Sequence, residues 1–132
     1  MDTNIREVVI TEVGTRDGFQ SEKKTVDTND KVSLINDLIE AGFKRIEFSS
    51  FVSPKAIPQL ADADEVIKRV SRNSDVTLTA LVPNLRGAIR ALEANIDEMV
   101  VFLSASESHN NKNLNRSISQ SLIGFEEVVK LA

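Results

Sequence analysis

The sequence predicts an α/β fold, a parallel sheet with helices packed outside it. Three observations carry that expectation. Short β-branched runs alternate with longer helical patterns four times, at a spacing of roughly thirty residues, as successive βα units do. Residues that stop one element and open the next, such as Gly42, Pro83 and Asn84, fall between those runs. An Arg-Asp pair, Arg16-Asp17, stands where the first run gives way to a Gly-containing loop. The carboxyl ends of parallel strands are where α/β folds keep their chemistry.

Taken in order, Val8 to Val13 reads as the first strand. Asn29 to Ala41 reads as a helix, because Val32, Leu34, Ile35, Leu38 and Ile39 recur at three- and four-residue spacing. Thr28 is a candidate cap at its start, and Gly42 is a ready stop. Arg45 to Phe48 reads as the second strand. Ala63 to Val70 follows as a helix, with Asp62 as a candidate cap. Val76 to Val82 is the third strand, ended by Pro83. Asn84 to Ala94 is the third helix, with Leu85, Ile89 and Leu92 expected to face inward. Glu98 to Leu103 is the fourth strand. Ser117 to Leu131 is the fourth helix, with Ile118, Leu122, Phe125, Val128 and Val129 on its apolar stripe.

Two architectures accommodate such a chain. One is a small doubly wound sheet. The other is half of a (β/α)8 barrel, since eight such units need about 250 residues. No linker, low-complexity tract or Pro-rich segment divides the 132 residues, which read as one domain. Half a barrel would leave two open strand edges and need the missing half or a partner for stability.

Composition removes several function classes. The chain is 41% hydrophobic with a formal net charge of -4, so nothing suggests a nucleic-acid partner or disorder. It has six Phe, no Trp and no Tyr, which leaves few platforms for stacking bases. It has no Cys and one His, His109, which excludes disulfides, a thiol nucleophile and a self-contained His-rich metal site. No signal core or membrane-length apolar run is present, so the expectation is a soluble cytoplasmic protein without a membrane partner.

Four stretches can carry chemistry. In the first, Asp17 can offer a hard oxygen to a divalent cation and Arg16 can stabilise oxyanion charge. Alone, Arg-Asp-Gly reads more simply as a surface turn with a solvated ion pair. In the second, strand alternation sets Ile46 and Phe48 on one face and Arg45 and Glu47 on the other. Glu47 is then either an exposed residue paired with Lys44 or Arg45, or a carboxylate turned into a barrel. Ser49 and Ser50 follow at the same rim as Asp17. In the third, Pro83-Asn84 serves at least as the turn into a helix. In the fourth, Ser104 to Asn115 is polar and amide-rich, read either as a solvated loop or as a rim loop that bonds a polar ligand, with Lys112 near a phosphate.

Together these blocks resemble 3-hydroxy-3-methylglutaryl-CoA lyases. The match rests on Glu12-Val-Gly-Thr-Arg-Asp-Gly-Phe-Gln, Ile46-Glu-Phe-Ser-Ser-Phe-Val-Ser-Pro-Lys, Val82-Pro-Asn-Leu-Arg-Gly and Ser104-Ala-Ser-Glu-Ser-His-Asn-Asn-Lys-Asn-Leu-Asn, in that order. Arg-Asp-Gly alone is shared with isopropylmalate and homocitrate synthases and with carboxyltransferase domains. The resemblance implies the amino-terminal half of a (β/α)8 barrel, its first four βα units. It implies cleavage of 3-hydroxy-3-methylglutaryl-CoA to acetyl-CoA and acetoacetate with Mg²⁺ or Mn²⁺. It further implies Asp17 as a metal ligand, Arg16 as the group that holds developing enolate charge, and Glu47 as support beside them. Gln20 and Ser50 would line the pocket, and Asn84, Arg86, Lys112 and Asn113 would receive the coenzyme A arm. A homodimer or larger homo-oligomer is expected.

The chain departs from the family at Thr15, where Pro is usual, at Phe19, where Leu is usual, and at Ala56, where Trp is common. The family's His-x-His metal ligands and loop Cys have no counterpart here, so the chain by itself is expected to be inactive or nearly so. The rivals are a Claisen-type synthase acting on acyl-CoA and 2-oxo acids, and a non-catalytic half-barrel that self-associates.

Overall fold

A computed structural model describes residues 7–132. Its centre is a three-stranded parallel sheet in the order β1 (Arg45–Ser50), β2 (Thr77–Leu81), β3 (Glu98–Val100). Helix α2 (Thr28–Glu40) precedes β1, α3 (Ala63–Arg69) joins β1 to β2, and α4 (Leu85–Glu93) joins β2 to β3. Helices α5 (Glu107–Leu114) and α6 (Ile118–Leu131) follow β3. A π-helical turn, Gly14–Gly18, runs into a single helical turn, α1 (Phe19–Ser21).

The alternation expected of β1 holds. Ile46 and Phe48 are buried with Leu78 and Ala80 in one core that also takes Ile35 from α2, Val66 and Ile67 from α3, and Ala88 and Ala91 from α4. Phe48 and Phe51 meet edge to face, with ring centroids 6.4 Å apart. The opposite face is polar. Arg45 pairs in register with Thr77, and Glu47 with Thr79. Thr79 in turn pairs with Glu98. Residues paired across a parallel ladder point the same way, so Arg45 can reach over β2 to Glu98, and both its Nη atoms donate to that carboxylate. Those hydrogen bonds hold the Glu98 carboxyl below its ordinary range.

Several expectations need correction. Val8 to Val13 is not a strand: only Glu12 bridges to Ile46, while Val8, Val9 and Ile10 are about three-quarters exposed (68–76%). A β-type segment forms a ladder only where another backbone faces it, and here Glu12 alone is faced. Ser49 and Ser50 belong to β1 and are buried, and the register slips between Glu47 and Ser49. β3 stops at Val100 rather than Leu103. Asp27, not Thr28, caps α2 by accepting from Asn29 N. Asp62 precedes α3 but makes no capping bond, since its carboxylate is taken by Thr28 and Lys31. Gly42 does end the helix region, with φ at 98°.

Helix α4 turns a different face inward from the one its large apolar residues suggest. Gly87, Ala88 and Ala91 are buried, whereas Ile89 and Leu92 are exposed and Leu85 is half-buried. The reason is proximity. A Cβ on Gly87 would lie 2.6 Å from the Phe51 carbonyl oxygen and 3.3 Å from Pro83 Cδ. Only small residues let α4 approach the end of β1 so closely. Helix α6 likewise buries Ser121, Gly124 and Val128, leaving Leu122 and Val129 exposed.

Gly87→Ala is therefore expected to destabilise the protein. In an open helix that change gains about 1 kcal/mol of propensity. Here it meets backbone, and overpacking costs about 1–3 kcal/mol. A urea midpoint lower than wild type is the expected result; an equal or higher one would refute the close-approach account.

Candidate active site

The site is built at the carboxyl ends of the strands. The π-helical turn is fixed from below: Gly14 N donates to Glu12 Oε1 at 2.6 Å, and Asp17 N to Val13 O at 2.8 Å. Thr15, buried, points its hydroxyl at Glu47 O. This sets Arg16 over the polar face of β1. Arg16 Nε donates to Glu47 Oε1 at 2.6 Å, and Arg16 Nη1 donates to Asp17 Oδ1 at 2.8 Å. The two carboxylates differ in setting, since the Glu47 side chain is 9% exposed and that of Asp17 is 65% exposed. Glu47 is thus not an exposed residue paired with Lys44 or Arg45. It is a buried carboxylate made tolerable by a charge-assisted hydrogen bond.

A cleft of about 580 Å³ opens beside this trio. Arg16 and Gln20 line it from the turn, Ser50 and Val52 from the end of β1, Leu81 and Pro83 from the end of β2, and Asn113 and Leu114 from α5. Four residues singled out from the sequence, Arg16, Gln20, Ser50 and Asn113, therefore share one space. A second cleft of about 490 Å³ lies between the segment after β1 and the start of α4. Asn84 and Arg86 line it, with Phe51, Ser53, Lys55 and Arg90. Asn84 is also the N-cap of α4, its side chain accepting from Gly87 N at 2.9 Å. Lys112 is exposed on α5 and lines neither cleft.

The second cleft is cationic. Arg90 is bound to Asp64 and lies 5.4 Å from the centre of the Phe51 ring. Lys55 and Arg86 have no ion-pair partner among the described residues. Sequence reasoning picked out Arg86 and passed over Lys55 and Arg90. Arg90 had a signal available, since it sits four residues after Arg86 and hence on the same side of a helix.

The stretch Ser104 to Asn115 is neither loop alternative; most of it is helix α5. Ser106 caps it by accepting from His109 N, and Asn115 closes it in a left-handed conformation, φ 53°. Asn110 is wholly buried. Its Oδ1 accepts from Ser104 N at 2.9 Å, and its Nδ2 donates to Arg116 O and to Ser121 Oγ, both at 2.9 Å. One amide thus joins both ends of α5 to α6 and fixes where Asn113 meets the cleft.

A divalent cation needs several oxygen or nitrogen donors. Among the described residues no three His, Cys, Asp or Glu side chains gather to hold one. Asp17 fits as a single hard ligand, with His109 far along the chain on α5. The described residues therefore supply part of a coordination set and not a whole one. No helix among them is long and apolar enough to cross a membrane.

Comparison with known proteins gives a consistent result. The HMGL-like family profile matches residues 7–132. A hydroxymethylglutaryl-CoA lyase of Bacillus subtilis is 52% identical over 123 residues, which is 93% of this chain and 41% of that protein. A Pseudomonas aeruginosa protein named 3-hydroxy-3-isohexenylglutaryl-CoA/hydroxy-methylglutaryl-CoA lyase is 44% identical over 96% of this chain and 42% of its own length. Among solved structures, an Acinetobacter baumannii HMG-CoA lyase in complex with coenzyme A and 3-methylmalate superposes with a TM-score of 0.90 at 49% identity, covering 93% of this chain and 40% of that one. The chain thus spans about two-fifths of the length of these relatives.

Proposed function

The chain belongs to the HMGL-like family, and from that premise we propose that it is the Arg-Asp-bearing part of a hydroxymethylglutaryl-CoA lyase. The observation that carries this reading is the Arg16 guanidinium. Glu47 anchors its Nε and Asp17 its Nη1, which leaves Nη2 with no protein partner among the described residues beside the 580 Å³ cleft. A donor held this rigidly costs no reorganisation when charge develops against it.

In the proposed reaction a base takes the proton of the substrate's 3-hydroxyl. The C2–C3 bond breaks as the hydroxyl carbon becomes the ketone of acetoacetate. The electron pair moves into the thioester as an enolate, and Arg16 stabilises its oxygen. Protonation at C2 gives acetyl-CoA. Glu47 keeps Arg16 aimed. Asp17 would lend one oxygen to a divalent cation, Mg²⁺ or Mn²⁺, which when bound supplies a Lewis acid for substrate oxygens. Its remaining ligands would have to come from outside the described residues. Gln20, Ser50 and Asn113 line the acyl end of the cleft. The cationic cleft of Lys55, Arg86 and Arg90 has the chemistry to hold phosphates of the coenzyme A arm.

The test is acetoacetate release from 3-hydroxy-3-methylglutaryl-CoA, with Mg²⁺ or Mn²⁺ added, by the protein of full family length. Turnover is the expected outcome. Free coenzyme A released from acetyl-CoA and a 2-oxo acid, with no acetoacetate, would move the reading to a Claisen-type synthase. Substitution of the methyl substituent by a longer chain, as the name of the Pseudomonas relative suggests, measures how wide the acyl pocket is.

A further inference from the structure

The 580 Å³ cleft is lined by segments distant in sequence. Arg16 and Gln20 come from one of them, and Ala56 and Ile57 from another. Arg16 is tied to β1 through Glu47. A second tie lies outside the site. Gln59 Nε2 donates to Glu22 O at 3.0 Å, directly after α1. The carbonyl of the same residue accepts from Lys31 Nζ at 2.6 Å. Lys31 also donates to Asp62 Oδ1 at 2.6 Å, and Thr28 donates to Asp62 Oδ2 at 2.7 Å. The Lys31 side chain is only 4% exposed, so its ammonium must find such partners within the fold.

Lys31 and Asp62 thus immobilise the backbone at Gln59, and the Gln59 side chain passes that constraint to Glu22. We propose that Gln59 is a positioning residue, which holds the Arg16–Gln20 segment of the cleft lining at a fixed spacing from the Ala56–Ile57 segment. Its role as a setter of ligand affinity rests on the reading of that cleft as the acyl-CoA site.

Two variants of the intact protein test this. Gln59→Leu removes the donor and keeps the volume. Gln59→Glu keeps the shape and replaces the donor by an acceptor. Both leave the main-chain carbonyl that Lys31 uses, so the ion pair survives in each. Hydrogen exchange without ligand should show the amides of Phe19 to Glu22 exchanging about ten-fold faster in both variants, with α2 and β1 unchanged. The KM for 3-hydroxy-3-methylglutaryl-CoA should rise about ten-fold in both, while coenzyme A itself binds as it does to the wild type. Unchanged exchange at Phe19 to Glu22, or equal acceleration along the whole chain, would overturn the positioning role. Failure of the wild type to bind coenzyme A would count against the acyl-CoA reading alone, because the exchange experiment decides the positioning role without ligand.

Discussion

Arg16→Gln is expected to lower turnover of 3-hydroxy-3-methylglutaryl-CoA by roughly two to three orders of magnitude, the cost of losing one well-placed oxyanion donor. Coenzyme A itself should bind with nearly unchanged affinity, because the cationic cleft of Lys55 and Arg86 is separate from Arg16. The variant also strips Glu47 of its charged partner. That carboxylate is nine-tenths buried, so a loss of stability of about 1–3 kcal/mol should accompany the kinetic effect. Comparing turnover well below both melting temperatures separates the two effects. Full activity would end the role given to Arg16.

Asn110→Leu should be the most damaging single change on the far side of the site. The substitution keeps the volume but leaves Ser104 N, Arg116 O and Ser121 Oγ without their partner. At about 1 kcal/mol net for each bond, and more where a group stays buried and unpaired, the expected loss is about 3–4 kcal/mol. A urea titration measures it. A loss below about 0.5 kcal/mol would mean that water replaces the amide at all three points, and that α5 is not held as described.

How far the sequence was legible follows from what kind of force shapes each element. The parallel α/β class, the inward face of β1 and the place of Ser50 at its carboxyl end were readable, since alternation and strand ends depend on local pattern, whereas Gln20 and Asn113 came only from the family resemblance. Glu47 was readable as a carboxylate on the polar face, but its partner Arg16 lies 31 residues away and no local pattern names it. Helix α5 escaped because it is held by two caps and a buried amide rather than by an apolar stripe. Helix α4 misleads because its large apolar residues are not the buried ones. The backbone of Phe51 approaches it, and contact of that kind admits only Gly87, Ala88 and Ala91. Val8 to Ile10 has β-type residues without a facing backbone beyond Glu12.

The trio at the cleft also has an arithmetic of charge. One guanidinium faces two carboxylates, so Arg16, Asp17 and Glu47 leave one formal negative charge. A substrate with a free carboxylate and phosphates brings more of the same sign. On electrostatic grounds the turn should therefore resist its own ligand until positive charge joins it. In the proposed function the phosphates would find that charge at Lys55 and Arg86, and the reacting end would not. In the proposed reaction a divalent cation held at Asp17 would offset that charge.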